Sequence, residues 1–137
     1  MIVIGRLKVK AQLFCASAHA MGPGKADLLE AIGREGSITA AGRALGMNRR
    51  KCWMLVERMN RCFTGPLVLT RDNGGLRRGA RLTDLGREVA ADFRVLEDRV
   101  RQAAEGSPHH RSLIERLRAD PPVVEAAAES GPGDVVR

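Results

Sequence analysis

The sequence predicts an α+β fold that is mainly α-helical: a winged helix-turn-helix with an N-terminal strand and a long C-terminal helix suited to dimerisation. Three features carry this prediction: two helices joined by a glycine turn between Gly36 and Phe63, a glycine-rich hairpin after them, and a regular apolar stripe that begins after Thr83. The 137 residues suffice for one domain of ordinary size. We expect that domain over residues 1–105, with residues 106–137 as a flexible tail that could hold one short helix.

The first of the two helices is predicted to begin after Ser37. The hydroxyl of this residue can accept a hydrogen bond from an otherwise unpaired amide at the helix start. Ile38, Ala41 and Leu45 follow at helical spacing and form one apolar face. Gly46 is expected to end the helix and to open the turn to the next one.

The second helix is predicted to begin after Asn48, another good N-cap. Its buried face comprises Trp53, Val56, Asn60 and Phe63, with Cys52, Leu55 and Met59 beside them. Its opposite face carries Arg49, Arg50, Lys51, Glu57, Arg58 and Arg61. Because a helix dipole disfavours cations in the first turn, a basic first turn indicates another requirement, which DNA bases and phosphates would supply. The alternative is a helical hairpin with a solvated charged face.

Regular structure is also predicted before these helices. Residues 6–14 alternate between apolar and polar side chains, which is typical of a half-buried strand. Residues 15–21 are small and irregular. The glycines and proline of residues 22–24 are predicted to turn the chain into a helix over residues 25–34.

A wing is predicted directly after the second helix. Residues 67–70 and 81–83 are expected to form two short strands around a glycine- and arginine-rich loop that contains the turn dipeptide Asn73-Gly74. Such a wing can lay Arg77 and Arg78 along the DNA backbone or into the minor groove. A solvated hairpin would have a similar sequence.

Thr83 is predicted to cap a long helix whose apolar residues recur close to a heptad spacing. This stripe comprises Leu85, Val89, Phe93, Leu96 and Val100. It could pack on its own domain or pair with a second chain, and the two-fold symmetry of most DNA operators favours a homodimer. The second helices of such a dimer should lie about 34 Å apart, or a multiple of that distance.

The charge of the chain is concentrated around these elements. Lys and Arg number 23 against 16 Asp and Glu, which gives a formal net charge of +7 and a pI near 10.3. Between Arg43 and Arg81, ten basic residues face only Glu57 and Asp72, so this segment alone accounts for the excess. Such a local excess is typical of phosphate binding. The residues expected to contact double-stranded DNA are Ser37, Thr39, Arg43, Asn48, Arg49, Arg50, Lys51, Arg58, Arg77, Arg78 and Arg81.

Other chemistries find little support in the sequence. The three histidines and Cys15, Cys52 and Cys62 form no metal-ligand or catalytic pattern, so we expect no metal, no cofactor and no enzyme. Cys52 and Cys62 would lie about 15 Å apart on one helix, beyond disulfide reach, so reduced, packed thiols are expected. No apolar run approaches the roughly 20 residues that a membrane span requires, which favours a cytoplasmic, nucleoid-associated protein without membrane contact.

These motifs together resemble a known family. The motifs that carry the resemblance are Gly36-Ser37-Ile38, Trp53, Met59-Asn60, Gly74-Gly75 and Leu82-Thr83 with Gly86. In this order they resemble the N-terminal winged-helix domain of the ModE family of molybdate-responsive regulators, which is similar to LysR-type DNA-binding domains. The resemblance covers about residues 6–105 and implies a DNA-binding dimer in which residues 48–51 contact the groove and the phosphates.

Two departures from the family limit what the resemblance implies. Leu76, Arg77 and Arg78 interrupt a wing that is typically glycines with a lysine, which suggests stronger phosphate contact and a different operator. Full-length family members also carry molybdate-binding domains, for which the 32 residues after Glu105 are too few. The resemblance therefore implies a stand-alone domain without molybdate sensing.

The sequence thus predicts a sequence-specific DNA-binding transcriptional regulator that acts as a homodimer. It would read the major groove with the helix that starts at Asn48, and phosphates or the minor groove with the wing. Two alternatives remain open. One is an architectural, nucleoid-type protein with low sequence specificity. The other is a protein-interaction module whose long helix binds a regulatory partner of unknown identity.

Overall fold

Two short β-hairpins form the N-terminal segment. In the computed structural model, which describes residues 1–73 and 77–123, β1 (Ile2–Ile4) pairs antiparallel with β2 (Leu7–Val9), and β3 (Leu13–Cys15) pairs antiparallel with β4 (Ala18–Met21). Gly5 turns the first hairpin with a φ of +57°, a left-handed conformation that glycine adopts without steric cost.

Three helices follow the hairpins: α1 (Pro23–Glu35), α2 (Ile38–Ala44) and α3 (Arg49–Cys62). The chain then forms a third antiparallel hairpin from β5 (Val68–Asn73) and β6 (Arg77–Leu82), and a long helix, α4 (Asp84–Glu105). These elements belong to one unit, Met1–Gly106. A second unit, Ser107–Arg137, contains α5 (Pro108–Arg116), which Ser107 caps. The predicted tail lies outside the described residues from 124 onwards.

The predicted fold class, a winged helix-turn-helix with one N-terminal strand and a long C-terminal helix, is wrong. The described residues form three separate two-stranded antiparallel sheets and five helices. The alternating segment 6–14 is divided between two hairpins, because the turn at Gly5 pairs its first half with the preceding residues. Residues 15–21, predicted to be irregular, supply β4, whereas α5 lies in the segment that was expected to be able to hold one short helix.

The core of the first unit lies where α1, α2, α3, α4 and the β5–β6 hairpin meet. Its fully buried large side chains include Met21, Leu28, Leu29, Ile32, Met59, Leu67 and Val68. Two glycines permit close approach between elements. A Cβ atom on Gly42 would lie 2.4 Å from the Cys52 sulfur, and one on Gly86 would lie 2.1 Å from the Leu67 carbonyl oxygen. These glycines therefore set the spacing of α2 to α3 and of α4 to the chain before β5.

Arg94 on α4 joins that helix to α1 through ion pairs. Its guanidinium contacts Asp27 at 2.5 Å, Glu30 at 2.7 Å and Glu97 at 2.8 Å. The N-terminal ammonium lies 3.3 Å from the same Glu97 carboxylate. Burial alone would raise the pKa of Glu97, but the Arg94 guanidinium and the ammonium outweigh it and hold the pKa below its ordinary value.

Within residues 1–73 and 77–123, no helix combines the length and the apolar character that crossing a bilayer demands.

The depressed pKa of Glu97 predicts a loss of stability in acid. A carboxylate with a lowered folded-state pKa contributes stability above its unfolded pKa of about 4.3, and this contribution is lost as the pH falls through the folded value. Glu97→Gln should lower the free energy of unfolding at pH 7 by about 1 to 3 kcal/mol and reduce the further loss below about pH 4.5. Urea unfolding at several pH values measures both effects. Glu88→Gln, at an exposed position of α4, is the control. Equal acid sensitivity of wild type and Glu97→Gln would contradict this role.

Candidate nucleic-acid interface

The α2–turn–α3 segment is fixed by capping hydrogen bonds at both helix starts. The Ser37 hydroxyl accepts from the Ala40 amide at 2.9 Å, and the Asn48 side-chain oxygen accepts from the Lys51 amide at 2.8 Å. Gly46, with a φ of +69°, makes the turn between the helices. Both predicted N-caps are therefore confirmed, and each uses its side-chain oxygen within the protein.

The exposed side of this segment is basic and largely without internal partners. Arg43 on α2 and Arg49, Arg50, Lys51 and Arg58 on α3 are all exposed. Within residues 1–73 and 77–123, none of these five forms an ion pair with a carboxylate.

Arg61 differs from its neighbours because it pairs with Glu57, one turn earlier on α3, at 2.5 Å. The other five cations have no carboxylate partner among the described residues. The phosphates of a nucleic acid could therefore take the place of the small anions around them.

Lys25 and Lys10 extend this basic surface, although the sequence did not single out either of them as a DNA contact. Burial lowers the pKa of Lys25, and the nearby positive charges of Arg58, Lys10 and Lys51 lower it further. Their proximity depends on how α1 and the N-terminal hairpins pack against α3, so no local sequence pattern could have indicated it. The basic surface of α3 therefore continues onto the start of α1.

A groove of about 660 Å³ runs between α3 and β5. Arg50, Trp53 and Glu57 line its α3 side, and Thr70 lines its strand side. The Trp53 Nε1 atom is buried and has no hydrogen-bond acceptor among the described residues. Trp53 was predicted to lie on the buried face, and it is half-buried at the wall of this groove.

Asn60 connects α3 to the start of β5. Its side-chain oxygen accepts from the amides of Leu67 at 2.8 Å and Val68 at 3.1 Å, and its amide nitrogen donates to the Val68 carbonyl at 3.0 Å. Asn60 was predicted only as one position of a buried stripe. Three hydrogen bonds from one side chain instead set the position of the hairpin relative to α3.

The remaining predicted DNA contacts are Thr39 on α2 and three arginines on β6. Thr39 is half-buried and Arg81 is exposed. The backbones of Arg77 and Arg78 lie in β6, opposite Asn73 and Asp72, but their side chains lie outside the described structure. The predicted wing tip, residues 74–76, also lies outside the described residues.

The predicted dimerisation stripe does not lie on one surface. Phe93 is only 3% exposed and belongs to the core of its own chain, and Leu85 and Val89 pack against that core. Val100 is half-buried. Leu96 is 44% exposed, and its neighbour Val95, which the sequence did not single out, is 57% exposed.

Sequence comparison connects the chain to proteins named for molybdenum. It is 35% identical over 88 residues to the molybdenum-pterin-binding protein MopA of Rhodobacter capsulatus, an alignment that covers 64% of this chain and 33% of MopA. It is 40% identical over 70 residues to the molybdenum transport protein ModE of Azotobacter vinelandii, covering 51% of this chain and 26% of ModE. The molybdenum-pterin-binding protein MopB of Rhodobacter capsulatus is 38% identical over 77 residues, which are 56% of this chain and 28% of MopB.

The chain thus spans a quarter to a third of the length of these relatives. No protein-family model matches it. The predicted resemblance to a ModE-like winged helix-turn-helix domain without molybdate-binding domains is wrong, because the relatives are named for binding a molybdenum-pterin or transporting molybdenum, not for binding DNA. These names also give no support to a likeness to LysR-type domains. The comparison does show that the matched part of the chain is similar in sequence to ModE and to the two Mop proteins.

Asn60→Ala should loosen the connection between α3 and the hairpin. The substitution leaves two amides and one carbonyl without their partner, so the free energy of unfolding should fall by about 2 kcal/mol or more. Asn60→Asp keeps both acceptor contacts and should cost less. Glu57→Ala, which removes only an exposed ion pair on the same helix, should change stability by less than about 1 kcal/mol. Urea unfolding compares the variants, and similar losses for Asn60→Ala and Glu57→Ala would rule out the proposed connection.

Proposed function

We propose that this chain is a sequence-specific DNA-binding transcriptional regulator that works as a homodimer in the cytoplasm. The observation that carries the proposal is the set of five exposed cations on α2 and α3 that form no ion pair within the described residues. A protein surface that concentrates positive charge without internal neutralisation favours a polyanion as partner. The proposal assigns no catalytic reaction to the chain.

The first turn of α3 is assigned to the major groove. Arg49, Arg50 and Lys51 project from a helix start, which is the part of a recognition helix that approaches base edges. Arg50 is exposed and also lines the groove between α3 and β5. Arg can donate two hydrogen bonds to guanine, whereas Lys acts as a point charge on phosphate. We therefore assign base reading to Arg50 and phosphate contact to Lys51.

Phosphate contacts on either side of the DNA major groove are assigned to other cations. Arg43 on α2 and Arg58 on α3 are exposed on the same segment. The positive charge of Arg58 contributes to the lowered pKa of Lys25, so the two side chains lie near each other. Lys25 would therefore contact phosphate on the same side as Arg58. Arg77, Arg78 and Arg81 on β6 are assigned to the backbone or the minor groove beside the hairpin. These contacts would supply affinity rather than sequence preference.

Homodimerisation is assigned to the exposed part of α4. Leu96 and Val95 are large apolar side chains that remain exposed while Phe93 faces the core. A second copy of the chain could cover them through an isologous contact, which presents the same residues from both subunits.

A second candidate function, the binding of a molybdenum oxyanion or molybdenum-pterin, is favoured by the names of the relatives. The chain spans only 33% of MopA, 26% of ModE and 28% of MopB. This function is therefore proposed separately from DNA binding. Equilibrium dialysis against molybdate, with sulfate as the control anion, tests it directly. Selective retention of molybdate would support this second function, and equal retention of both anions would reject the candidate.

DNA binding is tested by selection from a randomised duplex library at about 150 mM salt, because affinities without a stated ionic strength carry no meaning. Enrichment of an inverted repeat supports a dimeric, sequence-specific regulator. Binding without enrichment of any sequence would instead indicate an architectural protein, and absence of binding would indicate a protein-interaction module.

Arg50→Ala should weaken binding to the selected sequence by about 1 to 3 kcal/mol and relax the preference at one base pair. Arg77→Ala should weaken binding to all sequences alike and make the salt dependence less steep. Arg99→Ala removes one exposed positive charge from α4 and serves as the matched control. Fluorescence anisotropy over a range of salt concentrations measures all three variants. If Arg50→Ala and Arg77→Ala are equally indifferent to sequence, the division of roles is wrong.

Leu96→Glu should convert the homodimer into a monomer without unfolding it, because the position is exposed and a buried carboxylate at an interface is costly. Leu69→Glu, at an exposed leucine of β5, should leave the dimer intact. Sedimentation equilibrium gives the molecular mass of each variant, and circular dichroism verifies folding. A monomeric wild type, or a Leu96→Glu variant that still dimerises, would contradict the assignment of the interface to α4.

A further inference from the structure

Cys15 and Cys62, which lie far apart in the sequence, are neighbours in the structure. Cys15 ends β3 and Cys62 ends α3. The Cys15 thiol lies close enough to Cys62 to raise the pKa of the Cys62 thiol. Independent evidence comes from Ala18, which is the strand partner of Cys15 and lines the same depression of about 300 Å³ as Cys62. The pairing of β3 with β4 therefore brings Cys15 to the end of α3.

The surroundings of the two thiols differ in a way that suits sequential oxidation. Cys15 is exposed, so a small oxidant in solution can reach it. Cys62 is half-buried, and desolvation together with the neighbouring Cys15 thiol raises the pKa of its thiol, although the nearby cations Arg58 and Lys25 oppose this effect. Cys62 therefore remains mostly protonated at neutral pH and is the less reactive of the pair towards an oxidant.

Cys52, the third cysteine, is the thiol against which the reactivity of Cys15 and Cys62 can be compared. It is fully buried, and burial raises the pKa of its thiol. It lies on the same helix as Cys62 but packs against Gly42 on α2. A buried thiol of this kind behaves as a small apolar side chain and is inert towards oxidants in solution.

We propose that Cys15 and Cys62 are a modification site that forms a reversible intramolecular disulfide when the protein meets a hydroperoxide. The Cys15 thiolate attacks one peroxide oxygen, the O–O bond breaks, and a sulfenic acid and water result after protonation. The Cys62 sulfur then attacks the sulfenic sulfur and displaces its hydroxyl group, which leaves as a second water with the proton from Cys62. Two thiols are thereby oxidised and one hydrogen peroxide is reduced to two waters. A dithiol reverses the reaction by exchange.

The disulfide would tie the β3–β4 hairpin to the last turn of α3. Arg58 and Arg61 line the depression beside Cys62, so the modification would occur at the edge of the basic surface. The proposal does not depend on DNA binding, because its chemistry requires only the two thiols and an oxidant. Disulfides in a reducing compartment are normally transient and redox-sensing, which fits a pair that can be reached from solvent.

The experiment treats the reduced 137-residue chain with a small molar excess of hydrogen peroxide and maps its tryptic peptides without reduction. Trypsin separates the three cysteines into peptides 11–25, 52–58 and 62–71. The expected result is the loss of two of the three free thiols and a cross-linked species of peptides 11–25 and 62–71 within one chain. Peptide 52–58 should keep its free thiol, and dithiothreitol should restore the other two.

Three variants make the result decisive. Cys52→Ala should form the same disulfide, because the buried thiol does not take part. Cys62→Ser should leave Cys15 without its partner, so that Cys15 proceeds to sulfinic acid or links two chains. Cys15→Ser should make Cys62 slower to oxidise than Cys15 is in Cys62→Ser. Thermal unfolding of the reduced proteins identifies any variant that does not fold. Independent oxidation of the two thiols in wild type, disulfides only between chains, or a cross-link to Cys52 would overturn the proposal.

Discussion

The peptide around Leu67 is the point on which the arrangement of the candidate interface depends. Its amide donates to the Asn60 side chain on α3, and its carbonyl accepts from the Thr83 amide at 2.9 Å. Gly86 allows α4 to approach the same carbonyl, since a Cβ atom there would overlap it. The Leu67 side chain itself is fully buried. One short extended segment therefore fixes α3, the β5–β6 hairpin and α4 relative to one another.

This junction explains how an exposed and highly charged surface can be held in a defined geometry. The exposed cations of α3 repel one another, so the orientation of the helix must come from its other side. That side is held by buried Val56 and Met59, by close contact with α2 at Gly42, and by the Asn60 hydrogen bonds. Rigid support of this kind lowers the entropy cost of binding a partner, because the helix that carries the charged groups is already positioned.

Several local features could be predicted from the sequence because they depend on near neighbours alone. Ser37, Asn48 and Thr83 all cap the helices that were expected to follow them. A capping side chain reaches only two or three residues along the chain, so its role is visible in the local pattern. The division of residues 6–14 between two hairpins was missed, since apolar alternation identifies extended backbone but does not show where it reverses direction.

The sequence by itself determined the starts of α2, α3 and α4, the turn at Gly46 and the concentration of positive charge, because each is a property of consecutive residues. Only the tertiary structure decided which groups meet across the fold: Lys25 with Arg58, Asn60 with β5, and Cys15 with Cys62. It also decided that Phe93 is buried in its own chain while Leu96 on the same apolar stripe stays exposed. These contacts join residues that are distant in sequence, and helical periodicity identifies an apolar face without identifying what covers it.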